Sequence, residues 1–344
     1  MSAPLALKNI LSLASLALTA SLALACGKTE TAPSSSGAAP AASTQAAEAK
    51  PTVTVKLGYQ KFGPPFLLKS RSADLERRLS EQSAKAEWKE FKHGPALLEA
   101  INADEVDIGH VGETPPVFAQ AGGVPFVYIA TDPPAPKAEA IVVRKDSPVK
   151  TIADLKGKKI ALNRGSNVHF LLVKALEKVN LTLKDVEVVY LAPGDARPAF
   201  DSGQVDAWVI WDPFLASAEL AGARIIANGE GLVDNHLFYV ARRSFAEKHP
   251  ELVRLVLEEY QALSTWESQN AEESARISAE SSGIAYDALL KSEKRLSFGL
   301  RPITPEILAK QQIIADTFRK LELIPKEIRT ADAFLPSAVY VAKQ

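Results

Sequence analysis

The sequence predicts an α/β protein of two lobes that face each other across a ligand cleft and are joined by a two-strand hinge. Strand–turn–helix units recur along most of the chain. Two segments, AINADEVDIG at 100–109 and AFDSGQVDAW at 199–208, read as faint copies of each other. Each runs from a helix end through a polar turn and Val-Asp into a strand, and a proline-bearing helix start follows. Between the copies lies a proline-dense stretch, Thr131 to Lys137, which reads as a stiff connector. With βαβ patterning in each half, two α/β lobes follow.

The N-terminal part is not built for a core. Lys8 precedes a run from Ile10 to Ala25 rich in Leu and Ala. A basic start, an apolar centre and small residues at the end make a signal peptide over 1–25. The run is too short and too well bounded for a permanent membrane span. Ala23-Leu24-Ala25 fits a conventional cleavage site, whereas Ala25-Cys26-Gly27 resembles a bacterial lipobox, with Ala23 where Leu is usual. Residues 26–51 are mostly small and polar and read as a flexible tether. A tether behind a lone exported cysteine suits a lipid anchor, so lipidation of Cys26 is expected.

The folded region is expected to hold lobe 1 at 52–139, lobe 2 at 140–236, and at 237–344 a return to lobe 1 with C-terminal helices. Val53 to Tyr59 alternates like a strand and runs into the loop Gln60 to Pro65. Phe66 to Arg78 reads as a helix, Ala86 to Phe91 as a strand, and Gly94-Pro95 as the opening of another helix. After the strand ending near Gly112, Thr114 as N-cap and Pro115 as first helical residue signal a helix start. Phe126 to Ala130 and Ala140 to Val143 are further strands. Ile160-Ala161-Leu162 is a short strand, followed by the turn Arg164 to Asn167 and apolar residues at Val168, Leu171, Leu172, Ala175, Leu176 and Val179. That spacing is one face of a helix, with Ser166 or Asn167 at the N-cap. Asn235 to Ala241 is the expected return strand. Pro250 to Trp266, Ala271 to Ser281 and Thr304 to Leu321 are helical and are expected to complete lobe 1.

Composition removes several functions. The 344 residues carry a net charge of −1, which argues against an extended nucleic-acid surface. Cys26 is the one cysteine, so the folded part has no disulfide, thiol nucleophile or cysteine-rich metal site. The five histidines share no ligand spacing, and no G-x-S-x-G, Walker A or G-x-G-x-x-G is present. No catalytic residue, metal or cofactor is therefore expected.

The remaining candidates are loops that would meet in the cleft. Gln60 and Lys61 follow the first strand. Gly112, Glu113 and Thr114 open one helix, and Gly165, Ser166, Asn167 and His169 open another. Trp211 and Asp212 end a strand of the second lobe; of Trp208 and Trp211, Trp208 is expected in the core. Two helix N-termini, a lysine and polar side chains suit a small anion, and the aromatic and aliphatic residues suit an attached carbon chain. Each helix start could equally be an ordinary capped terminus, and His169 a packing residue. Glu113 would repel an anion; it could pair with Lys61, cap its helix, or meet an amine of the ligand.

These stretches resemble a periplasmic substrate-binding protein of an ABC importer, of the aliphatic-sulfonate-binding group. The resemblance covers nearly all of residues 53–330 and rests on GYQK (58–61), GPALLEAINADEVDIGHVGETPPVFAQA (94–121), PPAPKAEAIVVRKDSPVKTIADLKGKKIA (133–161), RGSNVHFLLVKAL (164–176), YLAPGDARPAF with GQVDAWVIWDPF (190–214), and FYVARRSFAEK (238–248). It implies the two-lobe periplasmic-binding-protein (type II) fold and uptake of alkanesulfonates by a monomer working with a membrane permease and ATPase. Related groups bind taurine, nitrate or pyrimidine precursors of thiamine, and some enzymes share the fold. Phe62 to Phe66 is bulkier and richer in proline than the resemblance leads one to expect, and this bears on the length of ligand tail accepted.

Overall fold

The Val-Asp pair that marks the two sequence copies makes the same bonds in both halves of a computed structural model, which describes residues 52–336. Strand β1 (Val53–Tyr59) lies parallel to β3 (Ile108–Gly112). Just before β3, the Asp107 carboxylate accepts the Lys56 N–H at 3.0 Å while its own N–H reaches the Lys56 carbonyl at 2.8 Å. In the other half, β6 (Lys159–Leu162) lies parallel to β8 (Ala207–Trp211), and Asp206 holds Lys159 by the same two bonds at 2.9 and 2.8 Å. Aspartate suits this position because its carboxylate accepts a backbone N–H of the neighbouring strand.

The remaining elements come in chain order. After β1 come α1 (Gly63–Ser70), α2 (Ala73–Glu81), β2 (Ala84–Glu90) and α3 (Gly94–Asn102), and after β3 come α4 (Thr114–Gly122) and β4 (Phe126–Thr131). The second half is β5 (Glu139–Val143), β6, α5 (Asn167–Lys178), β7 (Glu187–Tyr190), α6 (Pro193–Asp201), β8, α7 (Phe214–Leu220) and β9 (Arg224–Asn228). The chain returns through β10 (Leu237–Arg242) to α8 (Arg243–Lys248), α9 (Pro250–Gln269), α10 (Ala271–Ser282), α11 (Tyr286–Glu293) and α12 (Pro305–Lys320).

Two five-stranded sheets result, ordered β2-β1-β3-β10-β4 and β7-β6-β8-β5-β9. In each, three parallel strands are followed by the strand that has just crossed from the other half, running antiparallel in fourth place. Alternation sets the two faces of each sheet. Tyr239 and Ala241 of β10 pack beneath α9, and Phe238 and Val240 beneath α3. Ile141 and Val143 of β5 meet α5, whereas Ala140 and Val142 meet α6. Trp208 is buried in this last core, as its place in the strand led us to expect.

The crossings lie side by side. The Asp132 N–H donates to the Leu237 carbonyl at 2.8 Å, the Ala135 N–H to that of Asp234 at 3.1 Å, and the Gly229 N–H to that of Pro136 at 2.9 Å. A Cβ on Gly229 would stand 2.6 Å from the Pro136 oxygen, so only glycine allows the two segments to touch there. This paired segment is the hinge.

Several expectations need correction. The stretch expected as a loop before Phe66 is already helical from Gly63, because prolines 64 and 65 occupy first-turn positions whose N–H groups need no partner. The helix expected across Phe66 to Arg78 is broken between Ser70 and Ala73. The N-cap of α4 is Glu113, one residue before the expected Thr114, and no side chain caps it. Strand β9 and helix α11 were not foreseen. Helix α12 extends to both halves: Leu308 joins the core around α3, while Ile314, Ala315 and Phe318 join the core around α5. Its 16 residues span about 24 Å, enough to bridge the two. The expected signal peptide, tether and lipidated Cys26 lie outside the described residues.

Candidate functional site

The parallel strands of both sheets end facing each other, where open α/β sheets place ligands. Between them is a cavity of about 50 Å³. Its walls come from the end of β1 (Gln60, Phe62), the end of β3 (Gly112), the start of α5 (Ser166, Asn167), the end of β8 (Trp211, Asp212), the hinge (Asn235) and Leu296 beyond α11. The volume suits about four water-sized groups.

Three carboxamides furnish this inner chamber, and each is fixed by the scaffold through one N–H. Gln60 Nε2 donates to the His110 carbonyl at 3.1 Å. Asn167 Nδ2 donates to Asn235 Oδ1 at 2.5 Å, and Asn235 Nδ2 to the Ala135 carbonyl at 2.8 Å. An amide NH2 has two hydrogens, so each keeps one more N–H to offer. Asn167 also accepts the Thr114 N–H at 3.1 Å. A side chain of the second lobe thus bonds both to the first lobe and to the hinge, and the lobes are closed upon each other. The contact is close: a Cβ on Gly112 would lie 2.1 Å from Asn167 Oδ1.

Ser166 is the N-cap of α5 but gives its helix no side-chain cap. Its hydroxyl instead donates to the Asn163 carbonyl at 2.6 Å. The first turn of α5 therefore presents N–H groups and the positive end of the helix dipole to the chamber.

Among the described residues, Asp212 is the one charged residue on the inner wall. Its Oδ1 accepts the Ala216 N–H at 2.9 Å, and Arg295 Nη1 approaches its two oxygens at 3.4 and 3.3 Å. Burial pushes its pKa up to about 6, against the pull of Arg295 and the Ala216 N–H. The other arm of Arg295 pairs with Glu219, which also meets Lys291 at 3.0 Å.

A larger outer chamber of about 320 Å³ adjoins the first and shares Gln60, Phe62 and Trp211 with it. Phe91, Pro193 and Phe214 add aromatic and apolar surface to its lining, to which Lys61, Glu90, Lys92 and Asp195 contribute charged groups. Lys61 Nζ donates to the Ser282 carbonyl at 3.1 Å and lies 3.7 Å from Glu90.

Of the residues singled out from the sequence, Gln60, Gly112, Ser166, Asn167, Trp211 and Asp212 line the inner chamber, and Lys61 the outer. Thr114 and Gly165 stand behind the wall. The Thr114 N–H is taken by Asn167, and Gly165 turns at φ +69° against Phe118. His169 packs against Phe118, Phe318 and Tyr190, and its Nδ1 faces the Gly165 N–H at 3.4 Å. Burial, aided by Arg164, lowers its pKa to about 4, so the ring is neutral. Glu113 is the N-cap residue of α4 but does not cap it with its side chain, and Lys61 lies beside Glu90 instead; the Glu113 carboxyl accepts the His236 N–H at 2.8 Å, and burial pushes its pKa up to about 8. Phe62, expected from its loop to bear on the ligand's tail, lines both chambers. Asn235, Arg295 and Leu296 were missed, and nothing local marks them.

Two lobes of one plan, hinged by paired crossings and closed over a chamber at their strand ends, define a solute-binding protein of the periplasmic-binding-protein (type II) class. Comparison with known proteins narrows this. The NMT1/THI5 like family matches residues 89–262. A protein of Escherichia coli (strain K12) named as an aliphatic sulfonates-binding protein is 39% identical over 285 residues, covering 82% of this chain and 88% of its own. One of the same name from Bacillus subtilis (strain 168) is 31% identical over 283 residues, covering 81% and 84%. The alkanesulfonate-binding protein SsuA from Xanthomonas axonopodis pv. citri, solved bound to MOPS, superimposes with a TM-score of 0.78 at 36% identity, covering 83% of this chain and 99% of its own. The chain belongs to the aliphatic sulfonates-binding protein family.

Proposed function

We propose that this chain is the extracytoplasmic solute-binding component of an ABC importer and that it captures organosulfonates. The observation that carries the reading is the trio of tethered carboxamides, Gln60, Asn167 and Asn235, around a chamber of about 50 Å³. A sulfonate has three oxygens that accept hydrogen bonds and none that donates. Three amide N–H groups with the first turn of α5 match that demand. The outer chamber takes the carbon tail between Phe62, Trp211 and Phe214. Because Asn167 joins both lobes and the hinge, a ligand that bonds to it favours the closed form, and closure presents the permease with a distinct shape. Residues 52–139 and 237–344 would move against 140–236, with residues 1–25 as export signal and 26–51 as a tether lipidated at Cys26. The chain performs no chemistry on its cargo in this reading.

The test is calorimetric titration of the protein from Pro51 onward with short and long alkanesulfonates, taurine, sulfate, nitrate and an aminopyrimidine. Saturable binding of alkanesulfonates with sulfate silent is the expected result. Silence to every sulfonate beside a response to nitrate or the pyrimidine would replace the substrate while keeping the fold.

A further inference from the structure

An anion enters a chamber in which Asp212, the one charged wall residue among the described residues, has the wrong sign. The positive charge nearest this carboxylate comes from elsewhere in the chain. Arg295 follows α11 in a segment anchored to the first lobe: the Gly299 N–H donates to Ser264 Oγ at 2.7 Å, and the Leu300 N–H to Gln261 Oε1 at 2.8 Å, both on α9. Asp212, just after β8, and Glu219, on α7, belong to the second lobe. The pairs of Arg295 with Asp212 and Glu219, and of Lys291 with Glu219, therefore cross from lobe to lobe. Two carboxylates and two cations balance. When the lobes part, Arg295 leaves with the first and Asp212 stays with the second.

We propose that Arg295 is a specificity-determining residue that acts through Asp212, cancelling its charge only as the lobes close and so making the closed chamber acceptable to an anion. This rests on the reading of the protein as a sulfonate binder. Asp212 faces Arg295, the Ala216 N–H and Glu219: burial raises its pKa, Arg295 and the Ala216 N–H lower it, and Glu219 raises it. Without Arg295, a buried carboxylate would be left beside the ligand's negative charge, a costly arrangement at low dielectric. Protonation of Asp212 would relieve it. Arg295 lowers the Asp212 pKa, so its removal lets the proton bind at higher pH than in the wild type.

The experiment measures ethanesulfonate affinity by calorimetry from pH 5 to 8 for wild type, Arg295→Gln, Arg295→Lys, Asp212→Asn and the double variant Asp212→Asn with Arg295→Gln, each checked by thermal melting. Arg295→Gln is expected to weaken binding roughly 30-fold or more at pH 8, and the loss should shrink toward pH 5. Arg295→Lys keeps the charge and most of the affinity. Asp212→Asn removes the need for Arg295, so the double variant should bind within about threefold of Asp212→Asn alone. A merely structural Arg295 would give a double variant as weak as Arg295→Gln and a loss independent of pH; either result overturns the proposal. Wild-type affinity in Arg295→Gln at pH 8 would do the same. Failure of the wild type itself to bind any sulfonate would instead remove the functional reading beneath it.

Discussion

A single methyl group should hold the cleft open. Replacing Gly112 by alanine puts a Cβ 2.1 Å from Asn167 Oδ1 and 2.5 Å from its Cγ and Nδ2. These atoms cannot yield by a small torsion, because Asn167 is held at 3.1 Å by the Thr114 N–H and at 2.5 Å by Asn235. Gly112 does not have the left-handed backbone that only glycine tolerates well, so the change is steric and alanine suits the strand. The closed form loses two hydrogen bonds at about 1 kcal/mol each and leaves the Thr114 N–H without its partner, a further 1–2 kcal/mol or so. A total of about 3–4 kcal/mol weakens binding by roughly 100- to 1,000-fold. The lobes themselves are untouched, so circular dichroism and the melting temperature without ligand should change little. Calorimetry with ethanesulfonate reads the loss. Combining Gly112→Ala with Asn167→Ala removes the obstacle, and the pair should bind no worse than Asn167→Ala alone. A Gly112→Ala protein that binds within threefold of wild type would refute this account of closure.

Other expectations are open to the same kind of measurement. His169 has its folded pKa lowered to about 4 from an ordinary value near 6.5, so the unfolded chain binds the extra proton first as pH falls. Stability is full above pH 6.5 and is lost by about 3 kcal/mol on descent to pH 4. Urea unfolding should show His169→Asn losing less over that interval. Glu113 titrates in the opposite sense: its folded pKa of about 8 lies above the ordinary 4.5, so stability is present at low pH and falls as pH rises through the interval. Glu113→Gln should remove a slope of about 1.4 kcal/mol per pH unit from urea stability between pH 5 and 8, and an unchanged slope would contradict a buried neutral carboxyl. On the wall that both chambers share, Phe62→Ala should weaken hexanesulfonate about tenfold and methanesulfonate less, since the longer tail covers more of the ring. Equal losses would place the tail elsewhere.

Much of the architecture was legible because it is encoded locally. The Val-Asp copies at 106–107 and 205–206 announce the two sheets because each aspartate holds its neighbouring strand within its own lobe. The apolar stripe from Val168 to Leu176 announces α5 because helical spacing is a property of adjacent turns. Asn235 and Arg295 were illegible for the opposite reason: they reach the cleft from the hinge and from beyond α11, and no spacing connects them to Asn167 or Asp212. His169 illustrates a subtler limit. It lies in the same first turn as Asn167, but two residues rotate a helix by about 200°, which carries the ring away from the chamber and into Phe118 and Phe318. Thr114 shows another: the helix start was visible, but not that a side chain of the opposite lobe would take its N–H.

The most direct measurement is a crystal structure with hexanesulfonate bound, in which the sulfur marks the headgroup. The account predicts sulfonate oxygens within about 3 Å of the Gln60, Asn167 and Asn235 amide nitrogens, beside Ser166 at the start of α5, with the tail along Phe62 and Trp211 into the outer chamber. A sulfonate seated in the outer chamber against Lys61, with its tail directed inward to the three amides, would contradict it.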